Sequence, residues 1–246
     1  MLKKNFILPL IASFLMMASC SVYHPQAVDI PLINHEGDLR VDASLGMSMW
    51  LVPDAFHFNM TGTYGINNWL SAQAHANYGG DNYYAQLAPG AYLPLGGNAV
   101  LEGYLGVGYG GNKREDIKAE LTTENSTNND YNIDAHYILP FAQANIGWHD
   151  LTGANIDLGF GLKLGSYIPD ITYTEVDNDG NVLAGTTETY TTPNFLVEPQ
   201  LMMRLGSRNV KFNVKLGMTW MNDLWGSSTK FIYDWITGSV GITFAF

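Results

Sequence analysis

The chain has 246 residues and one cysteine, Cys20, so no disulfide can form within it. Long apolar runs are missing as well. After residue 20 none reaches the roughly 18 residues of a transmembrane helix, which excludes a helical membrane protein. Basic residues are scarce: 12 Lys and Arg stand against 23 Asp and Glu, for a formal charge of −11. Nucleic acid is thereby excluded as a partner, because its binding rests on Lys and Arg neutralising phosphates. Charged residues of both signs make up only 14% of the chain, whereas glycines number 26, tyrosines 14 and tryptophans six. With a mean hydropathy near zero, this composition fits a membrane β-barrel, whose strands are only half apolar, better than a soluble enzyme.

The first residues read as a targeting signal. Lys3 and Lys4 make a basic start, and Phe6 to Met17 is almost wholly apolar, at about a dozen residues too short for the ~20 that span a bilayer. Met17-Ala18-Ser19-Cys20 follows. Small residues before a cysteine resemble the lipobox of bacterial lipoproteins, where the thiol is alkylated by a diacylglycerol and the chain is cut just before it. Met17 stands where leucine is commoner. The alternative is an ordinary secretory signal with an incidental cysteine. The expected organisation is a signal peptide over 1–19, a periplasmic linker over 20–37 lipidated at Cys20, and a barrel over 38–246. Pro25 and Pro31 should keep that linker extended. Removing Lys3 and Lys4 takes the charge from −11 to −13.

From residue 38 onward the dominant signal is alternation with period two, the mark of a strand with two unlike faces. Leu39, Val41, Ala43, Leu45, Met47 and Met49 oppose Arg40, Asp42, Ser44, Gly46 and Ser48. Val210, Phe212, Val214, Leu216 and Met218 oppose Lys211, Asn213, Lys215 and Gly217 in the same way. Ten segments carry the pattern: 39–50, 54–66, 68–79, 82–94, 98–111, 131–148, 153–167, 192–206, 209–222 and 231–246. The predicted fold is an all-β, antiparallel up-and-down transmembrane barrel of ten strands. Ten is even, as single-chain bacterial barrels require for both ends to lie on one side. Asn67-Asn68, Gly96-Gly97, Asp150–Gly153 and Gly206-Ser207-Arg208 read as short turns on one side, with long loops at 112–130 and 168–191 on the other. Short periplasmic turns and long outer loops are the asymmetry of such barrels.

Val240, Ile242, Phe244 and Phe246 alternate with small residues up to the last position. This resembles the terminal signal by which the insertion machinery recognises outer-membrane barrels. A soluble β-sandwich also alternates, but would expose Lys and Glu on its wet faces. Here the polar faces are rich in glycine and small residues. Trp50, Trp69, Trp148 and Trp220 near segment ends suit interfacial girdles.

Taken as lumen, the polar faces hold Arg40, Lys163, Arg204, Lys211 and Lys215 against Asp42, Glu102, Asp157 and Glu198. Five positive charges against four negative, enclosed in a narrow tube, must pair or stay hydrated. A plug of paired charges is expected, since ten strands make a barrel only slightly wider than the filled eight-strand kind. The favoured function is a non-enzymatic structural or surface-interaction role through the outer loops. The alternative is a narrow channel or carrier for a small solute. Barrel lipases, acyltransferases and proteases need Ser-His or Asp-His constellations at one wall. His57, near the outer end of the second segment, and Asp134 and His136, near the outer start of the sixth, need not be close; His75 reads as a lumen hydrogen-bonding residue, and no Ser-His spacing of those families is present. Asp177-Asn178-Asp179-Gly180-Asn181 lacks the distant glutamate of a calcium loop and reads as a hairpin turn. No catalytic residue, cofactor or metal is expected.

Cys20-Ser21-Val22-Tyr23-His24-Pro25, Pro31-Leu32 and Glu36-Gly37 resemble the start of small outer-membrane β-barrel lipoproteins of Bacteroidota. Asn67-Asn68-Trp69-Leu70 and the run Glu102–Gly110 are similar to their second turn and fifth strand. The resemblance implies a barrel with a lipid anchor and carries no activity with it. The lipobox, the terminal signal and the outer loops together lead us to expect as partners the lipid of the outer membrane, the lipoprotein export and barrel-insertion machinery, and an unidentified surface partner. Surface-exported lipoproteins of these bacteria carry acidic residues just after the cysteine. Ser21-Val22-Tyr23-His24 has none, so the anchor is expected in the periplasmic leaflet, with both termini periplasmic.

Overall fold

Antiparallel pairing of two-faced strands produces one closed sheet in the computed structural model. It describes residues 23–24, 28–49, 53–118, 130–151, 153–177, 182–183, 185–223 and 233–246. The expected signal peptide, Cys20, Trp50 and positions 178–181 of the calcium-like turn lie outside the described residues. The elements are β1 (Leu39–Met49), β2 (Pro53–Gly65), β3 (Leu70–Gly79), β4 (Asn82–Gly96), β5 (Ala99–Lys118) and β6 (Asp130–Leu151). They continue with β7 (Ile156–Val176), β8 (Glu188–Tyr190), β9 (Asn194–Gly206), β10 (Val210–Met218), β11 (Trp220–Asp223) and β12 (Ile236–Ala245).

Neighbours in sequence pair from β1 through β7, then β7 with β9, β9 with β10 and β10 with β12. The ring closes between β12 and β1, from Arg40↔Ala245 to Met49↔Ile236. β11 continues β10 along β9 in one register, Gly217↔Gln200 and then Trp220↔Val197, so the two form a single wall strand broken at Thr219. β8 pairs only with the far end of β7. The wall therefore has the ten strands that the alternation predicts.

The molecule is inside-out. Arg204, Lys163 and Asp157 are fully buried, whereas Leu105 is 68% exposed and Leu87 66%. In water a continuous apolar exterior of this kind would be costly at about 25 cal/mol per Å². A soluble sandwich would show the reverse sorting. Val240, Ile242, Phe244 and Phe246 point outward with the rest of the apolar face.

One rim, the turn end, carries the tight connections 66–69, 97–98, 153–155 and 207–209. Gly96, Gly97 and Asn98 take φ of 80°, 57° and 64° there, a left-handed run that glycine and asparagine adopt most readily. At the opposite rim, the loop end, the structure departs from the sequence reading. β5, β6 and β7 run on to Lys118, from Asp130 and to Val176, through much of what reads as loops 112–130 and 168–191. β6 alone has 22 residues, roughly 70 Å along the strand at ~3.4 Å per residue, against an apolar band of ~25 Å. Beyond hydrocarbon a strand needs no apolar outer face, so the pattern fades while pairs such as Lys113↔Asp134 and Asp134↔Thr172 continue.

A second departure concerns position. The described part of segment 23–34 lies inside the barrel, not outside it as a periplasmic linker, and Tyr23, Ile30, Leu32 and Ile33 are fully buried. Its described residues belong to none of the strands, and they cross the lumen.

Candidate functional site: the lumen and the segment that fills it

The segment reaches β1 through a reversal at the turn end. Asn34 and His35 donate their backbone N–H groups to one carboxylate oxygen of Asp38, each at 3.0 Å. Gly37 takes φ 84° and donates to the Gly65 carbonyl at 2.8 Å. Upstream of this reversal the chain runs opposite to β1, towards the loop end.

Its apolar side chains sit on glycines of the wall. A Cβ added to Gly147 would lie 2.6 Å from Leu32, one on Gly159 2.8 Å from Ile30, and one on Gly161 3.0 Å from Val28. Three alternate residues of the segment thus meet three glycines of β6 and β7 in order, and any larger wall residue would displace them. Ile30, Leu32 and Ile33 cluster with Tyr92, Val100 and Met202. Here the glycine-rich polar face has a physical explanation.

Its polar backbone is satisfied by the lumen side chains. Near the turn end, Ile33 N–H donates to Glu102 at 2.8 Å, and Asn145 holds the other Glu102 oxygen at 3.1 Å. Arg204 donates to the Pro31 carbonyl at 3.2 Å. Gln143 and Asn145 donate to the Asp29 carbonyl at 2.8 and 3.3 Å. Val28 N–H donates to Gln200. Such pairing is what a buried extended strand without neighbours needs.

Asp29 is the ionic centre of the segment. Its carboxylate lies 2.8 Å from the Lys215 ammonium and 3.8 Å from the Arg204 guanidinium. Lys215 also bonds Asp42 at 2.8 Å, and Asp42 accepts from Asn213 and Thr243 at 2.7 and 2.8 Å. Two more pairs form among the expected lumen charges, Lys211 with Asp157 and Lys163 with Glu198 at 3.8 Å, whereas Glu102 is held by Ile33 N–H and Asn145. Lys163 also stands 4.7 Å above the Phe141 ring. Arg40 does not join these pairs at ion-pair distance. It lines an open cavity of about 540 Å³ at the turn end, with Asp38, His149 and Lys211.

At the loop end the segment finishes in an aromatic cluster. The Tyr23 ring meets Tyr137 and Tyr167 edge-on, with centroids 5.5 and 5.1 Å away. Its hydroxyl donates to Glu198 at 2.7 Å, where Thr219 also donates at 3.0 Å. Its carbonyl accepts from Asp234 N–H at 3.1 Å, and His24 Nδ1 lies 2.6 Å from the Asp234 carboxylate.

Of the groups weighed for catalysis, Asp134 and His136 are brought together, whereas His57 and His75 lie on other strands. His57 and His75 face inward, His75 bonded to Thr61 at 2.8 Å. His136 lies 3.2 Å from Asp134 and 3.1 Å from the Tyr83 hydroxyl, on the outer face of the wall. Among the described residues no group of three His, Cys, Asp or Glu is placed to hold a metal ion.

Sequence reasoning named nine wall charges but missed Asp29, Tyr23 and the seats under Val28, Ile30 and Leu32. One signal was present: three alternating apolar residues are unusual in a chain meant to be wetted on all sides.

No protein-family model and no curated protein matches the sequence. Among solved structures the chain is similar to the outer-membrane protease OmpT from Escherichia coli, with TM-score 0.56 and 10% identity over 85% of this chain and 97% of that one. The translocator domain of the autotransporter NalP from Neisseria meningitidis matches with TM-score 0.39 and 11% identity, over 98% and 94% of the two chains. Neisserial surface protein A matches with TM-score 0.34 and 10% identity, over 85% and 96%. At such identity the OmpT likeness concerns the fold alone, and that fold is the outer-membrane β-barrel.

Proposed function

We propose that the protein is a non-enzymatic outer-membrane β-barrel lipoprotein, anchored through Cys20, whose lumen is closed by its own residues 23–24 and 28–34. Its turn end faces the periplasm, by the asymmetry of short turns and long loops that bacterial barrels share. Its work is structural, or is done through a surface partner met by the raised wall at the loop end. One observation carries this reading: the lumen is occupied by the chain itself, tied to Glu198, Gln200, Lys215, Arg204 and Glu102 along its length. A solute would have to displace each of these contacts. The outward aim of Asp134 and His136 supports a non-catalytic role, because a reacting group there would lack an enclosing site.

A narrow channel or carrier is the rival reading, and the open cavity at the turn end speaks for it as a vestibule. Planar-bilayer recording separates the two. Wild type should be silent, and conductance should appear when Arg204 or Lys215 is changed to Ala. Steady conductance by wild type, altered by Glu198→Gln, would overturn the closed lumen in favour of the channel.

A further inference from the structure

We infer that the chain leaves its own barrel through the loop end, so that Cys20 stands at the outer surface, at the opposite rim from the C-terminus. This deepens the lipid-anchor reading and rests on it only for what Cys20 carries. The position of the chain rests on the lumen contacts.

Those contacts are ordered along the axis. Ile33 bonds Glu102 and Pro31 bonds Arg204 near the turn end, Asp29 bonds Lys215 midway, and Tyr23 bonds Glu198 beyond them. The backbone of Tyr23 is fixed higher still, paired with Tyr233 and accepting from Asp234 N–H, just ahead of the loop-end start of β12. The direction of travel is therefore set by residues on both halves of the wall.

Distance closes the way back. Cys20 is three residues from Tyr23, which extended chain at ~3.5 Å per residue converts to roughly 10 Å. The turn end lies the length of β12 away, ten residues and so nine steps from Ile236 to Ala245. That is roughly 30 Å along the strand and about 23 Å along a barrel axis tilted by ~40°. Nor can the chain fold back down the lumen, because residues 28–34 already fill it. A diacylglycerol on Cys20 therefore enters the leaflet at the loop end.

This outcome differs from the periplasmic anchor implied by the lack of acidic residues after Cys20. Such residues would mark a chain for a separate export route. A segment enclosed by its own barrel is delivered with the barrel and has no need of that mark.

The test places single thiols in the full chain, in cells. Asp81→Cys, in the two-residue link at the loop end, should react with a membrane-impermeant maleimide on intact cells. Asn68→Cys, in a turn at the other rim, should react only after the outer membrane is permeabilised. Val22→Cys should behave like Asp81→Cys. Reaction of Val22→Cys only after permeabilisation would overturn the inference. A short epitope inserted between Cys20 and Ser21, detected by antibody on intact cells, repeats the test without a new thiol. Heat-modifiable electrophoretic mobility confirms a folded barrel in every variant. The anchor is read separately, from the maleimide reactivity of denatured wild type, whose one thiol is Cys20. An inert thiol together with surface-reactive Val22→Cys places the lipid outside. A reactive thiol would refute the lipid, while Val22→Cys would still decide where the chain emerges.

Discussion

Lys215 is the residue on which the closed lumen leans most heavily. Its ammonium lies 2.8 Å from Asp29 on the segment and 2.8 Å from Asp42 on the wall, with all three side chains almost fully buried. Lys215→Met keeps the length of the side chain and removes the charge from between two carboxylates. Removing one partner of a buried ion pair costs ~3–5 kcal/mol, because the other charge is left uncompensated. Asp42 retains Asn213 at 2.7 Å and Thr243 at 2.8 Å. Asp29 retains Arg204 at 3.8 Å and a backbone hydrogen bond from Ile30. These remaining donors put the loss at the lower end, about 3 kcal/mol, or roughly a hundredfold in the unfolding equilibrium. The assay is urea unfolding of the barrel in lipid vesicles, followed by tryptophan fluorescence. Adding Asp29→Asn to Lys215→Met removes the stranded charge and should recover at least ~1 kcal/mol. A Lys215→Met variant within ~1 kcal/mol of wild type, or a double variant no more stable than the single, would refute the ion-pair reasoning.

Two further outcomes follow from the same segment. Asp29 can pair with the Lys215 ammonium only while its carboxyl is ionised, so protonating it at low pH should weaken the hold on the segment. Protection of residues 28–34 from protease should hold from neutral pH down to the ordinary carboxylate value of about 4 and fail only below it. Loss of protection near pH 6 in a Glu102→Gln variant, which removes the other carboxyl bonded to the segment, would contradict the pairing. Gly159→Leu should expel the segment, since even a Cβ there would come within 2.8 Å of Ile30, whereas Gly103→Ala, with its nearest neighbour atom at 4.0 Å, should be silent. Limited proteolysis with heat-modifiable mobility reads both, and equal protection in the two variants would count against the glycine seats.

The barrel wall was legible because its rule is local. Period-two alternation depends on residues two apart, and Leu39 to Met49 or Val210 to Met218 display it within one strand. Turn chemistry is local too, as at Gly96-Gly97. The raised strands were not legible, since beyond hydrocarbon the outward face of β6 changes from Ile138 to His136 and Asp134 without any change in backbone pairing. Least legible was the filled lumen. Whether Lys215 meets Asp42, and whether either meets Asp29, depends on the register of β10, β12 and β1 around a closed ring and on a segment outside the sheet. The short Val28, Ile30, Leu32 alternation lies beside Pro25 and Pro31, which read as a spacer.

A ring that closes around its own chain constrains the order of its assembly. Asp38 joins the enclosed segment directly to β1, and β1 forms one lip of the seam with β12. While that seam is open, residues 28–34 can settle sideways onto Gly147, Gly159 and Gly161 as onto the floor of a trough. After the seam is shut, the same residues could arrive only end-on, drawing a leading end past the buried side chains of Arg204, Asp157 and Lys163. The pairing of Leu39–Met49 with Ile236–Ala245 is thus the closing event, made around a cargo already in place. A chaperone or insertion machine handling this chain must hold its first and last strands apart until the cargo is laid.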